Sequence, residues 1–135
     1  MQKFDLSDRV AIVTGGSQGL GKAVAIALAQ AGADIAIAAR EPEQVTVGKD
    51  RPHAPVDPAV EEIAEFGTRV IGITTDVREP AQVERLVSGT MEKFGRIDIL
   101  VNVVGGSWGE TFRSGPVMDL ELHDVMEAYK LNVGT

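Results

Sequence analysis

Thr14-Gly15-Gly16-Ser17-Gln18-Gly19-Leu20-Gly21 is the stretch that decides the fold, because of what flanks it. Residues 9–14 are an apolar run of strand length, and residues 20–31 are alanine-rich, apolar most of the way round, and of helical length. Glycines between a strand and a helix allow torsions closed to other residues and let a bulky anion approach the main chain. The N–H groups of the first helical turn and the helix dipole then favour a phosphate. The alternative is a tight turn with no ligand, but four glycines in seven positions lower stability unless something requires them.

Working outward, one pattern recurs three times: a helical stretch stops at a glycine and an apolar run follows. Gly32 precedes residues 33–39, Gly67 precedes 69–75, and Gly95 precedes 97–102. Glycine just past a helix end takes the left-handed conformation that closes the last turn. The apolar runs, such as Ile35-Ala36-Ile37-Ala38 and Ile97-Asp98-Ile99-Leu100-Val101, lack clean alternation and predict strands covered on both faces, as in a parallel sheet. Between them, Val83, Leu86, Val87, Met91 and Phe94 fall on helical spacing, with Pro80 suited to the first turn. Asp57-Pro58 reads as a cap and first position of a helix through Phe66. A last helix is expected over residues 119–133, with Leu122, Val125, Met126, Tyr129 and Val133 on one face and Tyr129 facing the core. The alternation β-α-β-α-β-α-β-α predicts an α/β fold with right-handed crossovers and a parallel sheet that ends after four strands. Two stretches break the rhythm. Residues 41–56 hold Pro42, Pro52 and Pro55, and residues 105–116 hold four glycines and Trp108. Both read as long surface loops, the second at a strand's carboxyl end, where such folds place ligands.

The 135 residues are enough for one domain, spanning 1–135. A composition of 44% hydrophobic and 24% charged residues excludes a disordered chain. No run approaches the roughly 18 apolar residues of a membrane span, and residues 1–10 lack the apolar core of a signal peptide. The absence of cysteine excludes disulfides and thiolate metal sites and fits a cytoplasmic setting. A net charge of -7 with no basic patch argues against nucleic acid as a partner.

Two phosphate motifs nearly fit the glycine stretch. The pattern G-x-G-x-x-G is absent as written. The P-loop pattern matches Gly16 to Lys22, but Ala23 stands where a magnesium-ligating hydroxyl belongs. The pattern T-G-x-x-x-G-x-G does fit, at Thr14, Gly15, Gly19 and Gly21. With it the chain resembles the short-chain dehydrogenase/reductase family. Three further landmarks follow in order. Asp76-Val77 resembles the family's adenine-contacting pair, and Leu100-Val101-Asn102-Val103-Val104-Gly105 its L-V-N-N-A-G at the end of strand four. Asn132 in Lys130-Leu131-Asn132-Val133-Gly134 resembles the asparagine of its last shared helix. Val103 and Val104 depart from the pattern, and with them go the hydrogen bonds of the second asparagine. The resemblance implies a Rossmann-like, doubly wound sheet, a nicotinamide cofactor, and an alcohol or carbonyl substrate. It also implies assembly into homo-oligomers through the helix that begins here and the one that would follow it. The residues expected at the cofactor are Thr14, Gly15, Ser17, Gln18, Gly19, Leu20, Gly21, Asp76, Val77, Asn102, Val103 and Gly105 by this resemblance, and Arg40 by the argument that follows.

The choice between NADP(H) and NAD(H) rests on the end of the second strand. An acid about 20 residues past the glycines binds a ribose 2′-hydroxyl and repels a 2′-phosphate. That place holds Ala39, followed by Arg40. The repulsion is absent, and a planar donor suited to phosphate is present. NADP(H) is therefore expected over NAD(H), with Glu41 and Glu43 nearby as the opposing influence.

By the same resemblance, catalysis uses a serine, a tyrosine and a lysine four residues after it, with the asparagine supporting a proton relay. The single tyrosine, Tyr129, is followed four places on by Val133 and stands upstream of Asn132. The chain thus ends before that group is complete, and only Asn132 of it is expected here, so the chain alone is expected to be inactive. His53 and His123 stand far apart with no third ligand, so no metal site is expected. Glu110, Asp119, Glu121, Asp124 and Glu127 read as a solvated acidic face. A non-catalytic nucleotide-binding or interaction module is the competing reading. A receiver-type signalling domain lacks its acidic cluster at the strand ends.

Overall fold

Four short apolar segments build one sheet: β1 (Val10–Thr14), β2 (Asp34–Ala39), β3 (Val70–Thr74) and β4 (Ile99–Asn102). The structure is a computed structural model that describes residues 4–40, 56–105 and 115–133. All pairings are parallel and the strand order is β3-β2-β1-β4. The chain therefore works outward from β1 to β3, then returns to place β4 on the other side of β1. That reversal opens a crevice between the carboxyl ends of β1 and β4, where Thr14 and Asn102 are register partners.

The helices α1 (Gly19–Gln30), α2 (Val56–Ala64), α3 (Pro80–Phe94) and α4 (Leu122–Asn132) link or follow the strands. Ala25, Ala29, Ala59 and Ile63, from α1 and α2, pack with Ala11, Val13, Ile35 and Ile37 on one face. Leu86 and Phe94 of α3 pack with Ile12, Ala36, Ala38, Ile71 and Ile73 on the other. The doubly wound, Rossmann-like arrangement read from the alternation is present. Gly32, Gly67 and Gly95 all have positive φ (102°, 84° and 79°), as their place past helix ends requires.

Several local expectations are corrected. Continuous apolar runs predicted four strands covered on both faces, and this holds only for β1 and β2. β3 and β4 lie at the edges, and Leu100 is 60% exposed on the side where Ile12, its register partner, is covered by α3. Asp57 is not the cap of α2; Val56, buried, begins that helix and Asp57 lies in its first turn. The long loop before it thus ends one residue earlier, and residues 41–55 lie outside the described residues, as does Trp108. The last helix starts at Leu122, after a 3₁₀ turn at Val117–Asp119. Its start is set by a reciprocal capping box in which the Glu121 N–H donates to Asp124 Oδ2 at 3.0 Å. Asp124 is consequently buried instead of solvated. Tyr129, expected to face the core, is 56% exposed, along with Leu122, Val125 and Met126.

Candidate nucleotide site

The carboxyl ends of β1, β2, β3 and β4 bring the sequence-singled residues to one rim. At its centre, Thr14 is buried and its hydroxyl joins two strands. It accepts a hydrogen bond from the Val103 N–H at 3.2 Å and lies 3.5 Å from the Val101 carbonyl oxygen, to which it donates. Thr14 therefore braces the crevice, holding the exit of β4 beside the exit of β1. Gly15 follows with φ +69°, and an added Cβ would touch the main chain of Val103 and Val104.

The loop then folds back over β2. The Gly15 and Gly16 amides both donate to the Ala38 carbonyl, at 2.7 and 3.2 Å. Their N–H groups are thus spent on the sheet. The donors that a helix start leaves without an intrahelical partner belong to the next turn, where α1 begins. A side chain on Gly16 would strike Ile37, and one on Gly21 would strike the Gly15 carbonyl oxygen. Gly16 and Gly21 are glycines because the loop presses on the sheet and on the first turn of its own helix. Gly19 differs: it has φ +55°, open space around its Cα, and a surface position beside exposed Gln18 and Leu20.

The start of α1 is poised for an anion. Its first turn contains no acidic residue, and no side chain caps it at Gln18. The leading N–H groups of a helix have no intrahelical partner, and the dipole adds partial positive charge at the same place. Ser17, 3% exposed, carries a buried hydroxyl oxygen without a hydrogen-bond partner among the described residues. An orphaned buried hydroxyl costs about 1–3 kcal/mol unless a ligand or water satisfies it. The glycine cradle, the uncapped helix and that hydroxyl together suit a diphosphate.

Further along the rim, Arg40 leaves β2 half-buried, and the Thr75 N–H donates to the Ala39 carbonyl at 2.9 Å. That bond places Asp76 and Val77 beside Arg40. Asp76 is engaged by Arg78, whose Nε and Nη2 donate to the carboxylate at 3.0 and 2.6 Å. The Asp76 N–H donates to Gln82 Oε1 at 2.8 Å. Arg78 beside it holds the Asp76 carboxyl below the usual carboxylate range against the opposing effect of burial, and Arg40 acts in the same direction. Neither Arg78 nor Gln82 was singled out from sequence. The available signal was an arginine two residues after an acid in a short loop, with a glutamine in the first turn of the following helix.

On the β4 side, Asn102 is exposed at the strand end. Asn132 is the last residue of α4, its Nδ2 donating to the Ala128 carbonyl at 2.8 Å. Its Oδ1 lies so close to Gly105 that a Cβ there would stand 2.5 Å from it. Gly105 is thus what lets the end of α4 meet the exit of β4. Asn132 is brought to this rim, while Tyr129, one turn earlier, is on the exposed surface of α4.

A family model described as short chain dehydrogenase matches residues 9–134. The chain belongs to that family. It is 36% identical over its whole length to an uncharacterized oxidoreductase of Mycobacterium tuberculosis, covering 45% of that protein. It is 41% identical over 101 residues, 75% of this chain, to a short chain dehydrogenase/reductase of Aspergillus oryzae, covering 35% of it. Among solved structures, it resembles a dehydrogenase/reductase from Sinorhizobium meliloti with a TM-score of 0.74 and 30% identity, over 96% of this chain and 45% of that one. A short chain dehydrogenase from Burkholderia cenocepacia, solved in complex with NADP, gives 0.72 and 36%, over 96% and 46%. The chain spans less than half the length of these relatives.

Proposed function

We propose that this chain forms the nucleotide-binding part of an NADP(H)-dependent oxidoreductase acting on an alcohol or carbonyl compound. The observation that carries the reading is the turn from β1 into α1. Gly21 is pressed on Gly15, the helix start is uncapped, and the buried Ser17 hydroxyl has no partner among the described residues. In this reading the first turn of α1, with Ser17, Gln18, Gly19 and Leu20, holds the diphosphate. Thr14 and Gly15 keep the loop in place beneath it. Asp76 and Val77 lie against the adenine, and Arg40 faces the 2′-phosphate. Asn102, Val103 and Gly105 line the crevice toward the nicotinamide. When bound, NADP(H) supplies or accepts the hydride exchanged with the substrate carbon. Asn132, held at the rim against Gly105, is assigned the positioning of a proton relay to the substrate oxygen. The remaining acid–base residues that the family resemblance requires are not found in residues 1–135.

A cytoplasmic setting and assembly into homo-oligomers belong to the same proposal, the latter supported by the exposed apolar face of α4. Among the described residues, no helix is long and apolar enough to cross a membrane. Calorimetric titration with NADPH and NADH tests the reading. NADPH is expected to bind at least about tenfold more tightly, and Arg40→Asp to reverse the order by restoring the repulsion of a 2′-phosphate. Absence of binding by either nucleotide to the folded protein overturns the proposal. Equal affinities overturn the preference alone.

A further inference from the structure

Arg40, Asp76 and Arg78 stand together where β2 and β3 end. Thr74 is the register partner of Ala39, and the Thr75 N–H donates to the Ala39 carbonyl, so residues 40 and 76 leave neighbouring strands side by side. A carboxylate at that place opposes what Arg40 offers. It would attract the guanidinium to itself and repel a phosphate approaching it. Arg78 changes that balance by pairing with both oxygens of Asp76, through Nε at 3.0 and 3.2 Å and Nη2 at 2.6 Å. With Arg78 the three side chains carry one net positive charge; without it they carry none.

We propose that Arg78 is a specificity-determining residue for the nucleotide: by pairing with Asp76 it cancels the carboxylate beside Arg40 and keeps this corner attractive to the 2′-phosphate of an adenosine nucleotide. The inference rests on reading the corner as the adenosine end of the site. Two further bonds make the charge separable from the geometry. The main-chain N–H of residue 78 donates to Asp76 Oδ1 at 3.0 Å, and the Asp76 N–H donates to Gln82 Oε1 at 2.8 Å. Neither involves the guanidinium: when that group is removed, the first still holds the carboxylate and the second still holds the main chain that carries it.

Titration of the protein with adenosine 2′,5′-bisphosphate and adenosine 5′-monophosphate at low ionic strength tests this, with the ratio of the two affinities as the readout. Arg78→Gln is expected to weaken the bisphosphate about tenfold and the monophosphate less than about threefold, a difference typical of one nearby screened charge. Adding Asp76→Asn to Arg78→Gln is expected to return the ratio to within about threefold of the parent, the signature of two coupled side chains. Arg78→Lys, which keeps the charge, is expected to preserve the ratio. Equal weakening of both nucleotides by Arg78→Gln, or a ratio that Asp76→Asn does not restore, overturns the role of Arg78 while leaving the site intact. Should Arg78→Gln fail to fold, Asp76→Asn alone decides: a raised ratio supports the inference and a lowered one overturns it. If the folded parent binds neither nucleotide, the dinucleotide reading itself fails, and this inference with it.

Discussion

Thr14 shows how much one hydroxyl contributes at this rim. It is buried, it receives the Val103 N–H, and it is directed at the Val101 carbonyl. Thr14→Val keeps the shape and removes both interactions, leaving a part-buried amide without its acceptor. The expected cost is about 1–3 kcal/mol, read as a lowered midpoint in urea, with weaker NADPH binding because the exit of β4 is no longer tied to the loop. An unchanged midpoint would show that the brace is dispensable. At this scale the sequence was informative about residue types and less so about their tasks. Gly15, Gly19 and Gly21 are all matched by one motif, yet Gly19 opens outward, Gly15 is in ordinary contact with the exit of β4 at a φ of +69°, and only Gly21 is confined by the main chain. The motif places Thr14 in the cofactor loop but does not say that its hydroxyl joins β1 to the exit of β4. Such distinctions depend on which strand lies next to which, and a linear pattern does not carry that.

Among elements, the amino ends of the strands are clasped by acids. Asp98, just before β4, receives the Val10 N–H at 2.9 Å and pairs with Arg96 and Arg9. Asp34 does the same for the Arg69 main chain and guanidinium, joining β2 to β3. The hydrogen bond from Arg96, then that from Val10, lowers the Asp98 carboxyl to about 2 from an ordinary value of 3.8. A carboxyl depressed by folding contributes stability that is fully present above its unfolded value and is lost as pH falls through its folded value. Thermal midpoints are therefore expected to fall between about pH 4 and pH 2. Asp98→Asn should be less stable at pH 6 and flatter across that window, and parallel curves for the two proteins would refute the assignment. Element positions were legible because helices and strands in this chain carry strong periodic signals, and α3 is found over the residues expected, Pro80–Phe94. Helix starts set by side-chain caps were less legible. The Glu121–Asp124 box places the beginning of α4 at Leu122, three residues after the expected start at residue 119, because apolar spacing records which side is apolar and not where the first turn begins.

For the molecule as a whole, the alternation of elements was enough to specify a parallel sheet, and the strand order places β1 and β2, the strands covered on both faces, in the interior. The prediction that failed concerns the outer surfaces. Tyr129 was read as facing the core, yet it is exposed together with Leu122, Val125 and Met126 of the same face, as is Leu100 at the β4 edge. Apolar spacing records that a face is meant to be covered; it does not record by what. If this face joins copies of the protein, Val125→Lys with Tyr129→Glu should reduce the sedimenting mass. The double change should alter unfolding stability by no more than about 0.5 kcal/mol per exposed site. An unchanged mass would exclude α4 as the contact. The placement of Asp34 and Asp98 has a consequence of another kind. These clasps stand at the opposite rim from the glycine turn and Arg40, a strand's length away, roughly 15 Å. Register is kept at one border and recognition is conducted at the other, so a lineage is free to revise what it recognises without unpicking the seam that keeps its strands aligned.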